Sequence, residues 1–320
     1  MSGLLEVKNL KKYYETNRGT LHAVDDVSFS VEKGETLGVV GESGCGKSTL
    51  GQAVIHLRKP TDGKIFFQGE DISAPSSKRL HELRRHMQII FQDPFSSLNP
   101  RMTVKQIIGE PLRIYKVSKD KAELEGRVAK LMETVGLASR FANTYPHELD
   151  GGRRQRIGIA RALALNPSFI VCDEPVSALD VSIQAQVLNL MQDLQEMLNL
   201  TYIFITHDLS VVKHISDHII VMYLGVVVER CSSKELFDAP LHPYTKALLS
   251  AIPHSDIDVP KERILLKGEL SSPIEPPPGC RFAKRCIYAT EKCSQDSPEM
   301  EEARPGHMAA CHNIRLVNDK

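Results

Sequence analysis

Gly41-Glu42-Ser43-Gly44-Cys45-Gly46-Lys47-Ser48 fits the spacing G-x-x-x-x-G-K-[ST], and its flanks supply the setting that spacing requires. Upstream, Glu35-Thr36-Leu37-Gly38-Val39-Val40 reads as a short buried strand; downstream, Ser48 to Leu57 reads as the start of a helix. A strand, a glycine turn and a helix N-terminus together present backbone N–H groups and the positive end of a helix dipole to an anion. Gly41, Gly44 and Gly46 let the chain wrap closely around phosphates, with Ser43, Cys45 and Thr49 in the same turn. Lys47 is placed to reach β- and γ-phosphates, and the Ser48 hydroxyl to ligate Mg²⁺. The stretch predicts a nucleoside triphosphate site.

The rest of the chain is consistent with an α/β protein built around that turn. At 320 residues it is long enough for one large domain or two modest ones. Its 40 basic and 40 acidic residues balance, so the total charge gives no reason to expect nucleic acid as a partner. No apolar run approaches the roughly 18 residues of a membrane span, and the opening Met1-Ser2-Gly3-Leu4-Leu5-Glu6 lacks the regions of a signal peptide. A cytosolic location is expected, with any membrane role exercised through a partner. Apolar strands (Phe169 to Cys172, Tyr202 to Ile205) alternate with helical stretches such as Ser182 to Leu198, which indicates a parallel sheet flanked by helices. Leu4 to Val7 and Leu21 to Val31 have the alternation of antiparallel strands. Ser271 to Gly279, with four prolines, reads as a linker. The expected division is a nucleotide-binding domain over 1–255 and an extension over 256–320.

Phe169-Ile170-Val171-Cys172-Asp173-Glu174 ends a strand in two acids. Asp173 is placed to hold Mg²⁺ through water, and Glu174 to orient and deprotonate an attacking water. Adjacent acids after a strand also serve as plain helix caps, but Ser177-Ala178-Leu179-Asp180 follows at once and Thr206-His207-Asp208 closes the next strand. His207 is positioned to hydrogen-bond a γ-phosphate.

These elements, in this order, resemble the ATP-binding subunits of ABC transporters over about residues 4 to 253. The resemblance implies a P-loop (RecA-like) parallel core, an antiparallel β subdomain and a helical signature subdomain at about 93–165. Gly41 to Ser48 resembles the Walker A loop, Asp173 and Glu174 the Walker B pair, Asp180 the D-loop and His207 the switch histidine. Gln92, in Ile89-Ile90-Phe91-Gln92-Asp93-Pro94, matches the Q-loop glutamine that meets Mg²⁺ and the membrane partner. Tyr13 is the candidate for stacking on adenine, with Tyr14 second and a core role for either as the alternative. Gln92 to Pro100, His242 to Leu249 and Pro278 to Phe282 resemble the dipeptide/oligopeptide importer branch, in its F-type ATPase subunit. That implies a second ATPase subunit as heterodimer partner, two permease subunits and, indirectly, a peptide-binding protein, at the inner face of the cell membrane. Related members carry nickel or sugars, and a low-turnover regulatory subunit is a further alternative.

One motif departs from the family. Its signature is Leu-Ser-Gly-Gly-Gln, whereas this chain has Leu149-Asp150-Gly151-Gly152-Arg153. In the family the signature of one subunit faces the ATP on the other. An ionised Asp150 about 4 Å from a phosphate charge is repelled by roughly 4 kcal/mol at an effective dielectric near 20. Arg153 would offset part of that, and the carboxylate can instead cap its own helix.

Cys280, Cys286, Cys293 and Cys311 fall in the last 41 residues, while Cys45, Cys172 and Cys231 are scattered. In a reducing compartment the concentration suggests a metal site. Zinc prefers paired C-x₂₋₄-C knuckles, absent here, and the ferredoxin spacings do not match either. Importer relatives resemble this tail, and the resemblance implies a [4Fe–4S] cluster, with Arg281, Lys284, Arg285 and Lys292 balancing its charge. Zinc and reduced buried thiols stay open. His307 and His312 read as surface residues that could substitute as ligands.

Overall fold

Thr36–Val40, the strand before the glycine turn, is buried at all five positions, as a strand covered on both faces must be. It is one of twelve strands in a computed structural model that describes residues 3–252, 264–266, 268 and 272–318. In chain order the elements are β1 (Leu5–Thr16), β2 (Gly19–Val31), β3 (Thr36–Val40), α1 (Lys47–Val54), β4 (Asp62–Phe67), β5 (Glu70–Asp71), α2 (Ser77–His86), β6 (Met87–Ile90), α3 (Val104–Ile114) and α4 (Lys121–Thr134). They continue with α5 (Gly151–Leu163), β7 (Phe169–Asp173), α6 (Val181–Leu198), β8 (Thr201–Ile205), α7 (Leu209–Ile215), β9 (His218–Tyr223), β10 (Val226–Ser232), α8 (Ser233–Asp238) and α9 (Pro243–Ser250). The tail adds α10 (Glu291–Gln295), β11 (Glu301–Arg304), β12 (His307–Ala309) and α11 (Ile314–Asn318).

The chain forms two compact units, residues 1–32, 36–73 and 204–320 in the first and 33–35 and 74–203 in the second. The first contains the antiparallel layer, in the order β2-β1-β4-β5, and the sheet segment β11-β12-β10-β9-β3. β3 pairs with β9 in parallel from Leu37 opposite His218 to Val40 opposite Val221. The β1–β2 hairpin is longer than its alternation suggests, because register shifts between Val7 and Tyr13 break the period-two pattern while pairing continues to Thr16 opposite Gly19. Val40, Val212, Ile219, Val221, Tyr223, Leu236, Tyr244 and Phe282 share one buried cluster, so the Cys-rich tail packs into the core of this unit.

In the second unit β6 pairs with β7 in parallel, Met87 opposite Phe169 through Ile90 opposite Cys172. Helices α3, α4 and α5 follow one another in contact, and the helical span expected at about 93–165 falls inside this unit. The Arg161 guanidinium donates to Ser97 O at 2.6 Å and Arg154 Nε to Pro146 O at 2.7 Å, which ties α5 to the loops around it.

The stretch expected to be a linker is held down instead. Its first residue, Ser271, lies outside the described residues, as does the expected boundary at 255/256. From Ser272 onward, Ile274 bridges to Leu21, His22 N–H donates to Pro273 O at 3.0 Å, and Glu275 N–H donates to Thr20 O at 3.0 Å. Proline excludes a regular strand here, but a strap on the edge of β2 needs only alternate donors. No helix among the described residues is long and apolar enough to cross a membrane.

Candidate functional site

The glycine turn is built as its spacing requires. Gly46 has φ +105°, and a Cβ there would lie 2.0 Å from Ala23 O, so only glycine fits the N-cap position of α1. A Cβ on Gly44 would meet nothing within 4 Å, which leaves that side of the loop open to a ligand. Leu50 N–H closes the first helical bond onto Gly46 O at 2.9 Å, and no side chain caps the α1 N-terminus. Lys47 is 4 % exposed, and its ammonium donates to Gly41 O at 2.8 Å and Glu42 O at 3.1 Å. Cys45 is buried, and burial pushes its thiol up. Ser48 and Thr49 lie half-buried in the first turn of α1, and Ser43 is exposed. His207, exposed on the turn between β8 and α7, belongs to the same unit.

Tyr13, on β1, stacks on His22 at 4.1 Å between ring centroids. Its hydroxyl donates to Asp25, which also accepts from Arg281 and pairs with His22 Nδ1 at 3.0 Å. Burial would raise the Asp25 carboxyl, but the bonds from Tyr13 and His22 and the Arg281 charge together hold it below its usual range. Tyr14 lies under the Lys12 ammonium at 4.6 Å.

In the second unit Gln92 Nε2 donates to Glu174 Oε2 at 3.0 Å, so two residues 82 apart in sequence meet. Glu174 follows β7 with φ +45°, a left-handed conformation uncommon for glutamate and characteristic of functional turns. Asp173, the last residue of β7, is 4 % exposed. Asp150 is the N-cap of α5 and accepts from Arg153 N–H at 2.8 Å, with the Arg153 guanidinium paired to its other oxygen. A Cβ on Gly152 would lie 2.6 Å from Ile183 Cγ2, and one on Gly151 would lie 3.0 Å from Leu179 Cδ2. These glycines therefore also let α5 approach the segment around Asp180, the N-cap of α6.

All four tail cysteines are unpaired, as are the other three. Burial pushes Cys280 up to about 11; Phe282 N–H opposes this, and neighbouring Cys293, Cys311 and Cys286 add to it. Cys286 and Cys311 are raised by burial too, each against a backbone N–H two residues on, from Tyr288 and Asn313. Asn313 Nδ2 reaches Cys293 Sγ at 3.5 Å. The four sulfurs thus share one neighbourhood. Sequence reasoning missed a different group: Glu229, Cys231 and His307 are buried with ligand atoms within 4.8 Å of one another. Glu229 accepts from Leu241 N–H (2.7 Å), His242 N–H (2.9 Å) and pairs with His307 Nε2 (2.7 Å). His307 is 1 % exposed and so not a surface residue. The group joins β10, β12 and the start of α9. His312 is half-buried and bonds Asp296 O at 2.9 Å.

A glycine loop with this geometry, a strand ending in Asp-Glu and a glutamine on that glutamate define a P-loop ATPase of the ABC type, and the comparisons agree. The ABC transporter family profile matches residues 24–177, and that of the oligopeptide/dipeptide transporter C-terminal region matches residues 228–293. The oligopeptide transport ATP-binding protein AppF of Bacillus subtilis (strain 168) is 55% identical over 319 residues, 97% of each chain. OppF of the same organism is 54% identical over 309 residues, 96% of each chain. Among solved structures, the ATP-binding cassette MJ0796 bound to ADP and Pi superposes with a TM-score of 0.66 at 30% identity, covering 72% of this chain and 98% of that one. CbiO1 of Clostridium perfringens gives 0.66 at 29% identity, covering 75% and 92%. The chain belongs to the ATP-binding subunits of the oligopeptide/dipeptide ABC transporter family, and it is an ABC ATPase that hydrolyses ATP.

Proposed function

We propose that this chain drives the import of dipeptides or oligopeptides across the cytoplasmic membrane, as one of two unlike ATPase subunits beneath a pair of permeases fed by a peptide-binding protein. The nucleotide part of the reading rests on the glycine turn, a helix N-terminus with no side-chain cap, an open side at Gly44 and the Lys47 ammonium held over the loop, and the peptide part on the likeness to oligopeptide transport ATP-binding proteins. In this reading Gly41 to Thr49 bind the triphosphate, with Ser48, Asp173 and Gln92 on Mg²⁺ and Tyr13 against the base. Glu174 is the base for the attacking water, and Gln92 and His207 sense the γ-phosphate. Asp150, Gly151, Gly152 and Asp180 serve the ATP of the companion subunit. Phe95, exposed beyond Gln92 with its ring on the Arg154 guanidinium at 3.7 Å, is an apolar handle for a permease loop. The test is transport of labelled peptide into vesicles containing the assembled complex. Uptake that needs ATP and stops with Lys47→Ala supports the reading; nickel or oligosaccharide uptake in place of peptide redirects it.

We also infer that the four tail cysteines hold a [4Fe–4S] cluster. The donor set fits: four thiols in one neighbourhood, three of them facing a backbone N–H two residues on, the pattern that stabilises bound thiolates. Such a group, when bound, supplies a covalent clip for a small tail. Visible absorption with stoichiometric iron and sulfide after anaerobic purification supports it; a colourless protein with stoichiometric zinc overturns it.

A further inference from the structure

We propose that the Cys-rich tail is a positioning element of the nucleotide site, acting through Arg285 on the glycine loop and through Arg281 on Tyr13. The inference rests on the reading of residues 41–48 as an ATP site and adds to it two arginines more than 230 positions further along the chain.

Glu42, the second residue of the loop, has every polar group engaged. Its carbonyl accepts from the Lys47 ammonium at 3.1 Å, and its N–H donates to Tyr244 Oη at 2.9 Å. Its carboxylate receives both ends of the Arg285 guanidinium, at 2.8 and 3.2 Å. Arg285 is only 10 % exposed and Glu42 25 %, so this two-pronged pair is largely shielded from water, where such a pair orients its partners strongly. The Arg285 guanidinium also lies over the Tyr223 ring at 5.9 Å, and Tyr223, Tyr244 and Phe282 pack edge-on or tilted at 4.8 to 5.4 Å. The guanidinium therefore has little room to follow a displaced loop.

The second contact is at the candidate base platform. Arg281 donates to Leu224 O at 2.8 Å and pairs with Asp25, which takes the Tyr13 hydroxyl and faces His22. Arg281 follows Cys280 and Arg285 precedes Cys286, with a single 3₁₀ turn, Ala283–Arg285, reaching up to the second cysteine. Any shift of the segment between these two cysteines is thus transmitted to Glu42 and to Asp25 together. Both arginines act through an intermediate carboxylate residue, Glu42 beside Lys47 and Asp25 beside Tyr13.

The experiment is equilibrium binding of Mg-ATP to the full chain, followed by the KM and kcat of ATP hydrolysis in the assembled complex. Arg285→Gln is expected to weaken ATP binding roughly tenfold, to raise KM by a similar factor and to leave kcat within about twofold. Glu42→Gln should match it, and the double variant should be no worse than either single one. Arg285→Lys, which keeps the charge and loses the fork, should fall between. Arg281→Gln should weaken binding independently, and Arg315→Gln, on the exposed side of α11, should bind like wild type. If Arg285→Gln does not fold, Glu42→Gln and Arg285→Lys carry the same test. Wild-type affinity in these variants, or additive losses in the double variant, overturns the proposal. A wild-type chain that binds no ATP overturns the nucleotide reading instead.

Discussion

Two helix N-termini carry the two signature glycine motifs of this chain, and they are finished in opposite ways. At α1 the N-cap is Gly46, which has no side chain to cap the helix, and the loop is open beside Gly44. At α5 the N-cap is Asp150, whose carboxylate already takes Arg153 N–H and pairs with the Arg153 side chain. The first end is left for an anion brought from outside; the second has supplied its own. Both satisfy the same rule about unpaired helical N–H groups, so the difference lies in what each end can still accept. Asp150 and Arg153 are about half exposed, at 56 % and 45 % for their side chains, so the pair adds little stability.

The comparison breaks most visibly at α1. Gly46→Ala puts a methyl group into Ala23 O and forces a strained φ, so ATP hydrolysis by the assembled complex should fall by roughly a hundredfold or more, as phosphate release will show. Lys47→Ala, which removes the ammonium held on Gly41 O and Glu42 O, should do as much.

A third N-terminus sharpens it. His242 caps α9 through Nδ1, which accepts from Tyr244 N–H at 3.1 Å, and burial pushes its pKa down to about 4 against the pull of Glu229. Its folded value lies below the unfolded one of about 6.5. The neutral cap therefore contributes its full stability above that range and loses it as pH falls toward 4. Between pH 7.5 and 5.0 the unfolding free energy should drop by about 2 kcal/mol from this group. In denaturant titrations His242→Asn, which keeps a capping acceptor, should lose correspondingly less over that interval.

Asp150→Ser tests whether the second end can be reopened. If its carboxylate slows the companion site, turnover of the complex should rise several-fold, the effect of roughly 1 kcal/mol. An unchanged rate removes the idea that Asp150 slows the companion site. Smallest of all, Asp150→Ala should cost about 1 kcal/mol of stability or less by equilibrium denaturation, and Asp150→Ser only a few tenths.

What was legible in the chain was local. Gly41 to Ser48, the acids after Phe169 to Cys172 and the helix from Ser182 are each decided within a few residues, and the structure places them within one or two positions of the reading. α1 ends at Val54 rather than Leu57, where His56 turns to φ +55°. The signature aspartate as a helix cap was also legible, because the capping donor lies three residues away. What escaped was long-range. Arg285 and Glu42 are 243 residues apart, and nothing near either one marks the other. The strap at Pro273 to Glu275 has the composition of a linker and differs only in having the edge of β2 beside it. Glu229 carries no local mark, His242 reads only as the start of a run resembling the importers and His307 as a surface residue, until β10 and β12 pair. Charged groups acquire partners through topology, which composition does not encode.

The proposed function assigns to Glu174 the activation of the water that cleaves ATP. Its most direct test is phosphate release and retention of labelled ATP by the assembled complex carrying Glu174→Gln in this chain. The account predicts that hydrolysis at this site falls at least a hundredfold while ATP stays bound at near wild-type affinity. Wild-type phosphate release at this site from the variant would contradict it.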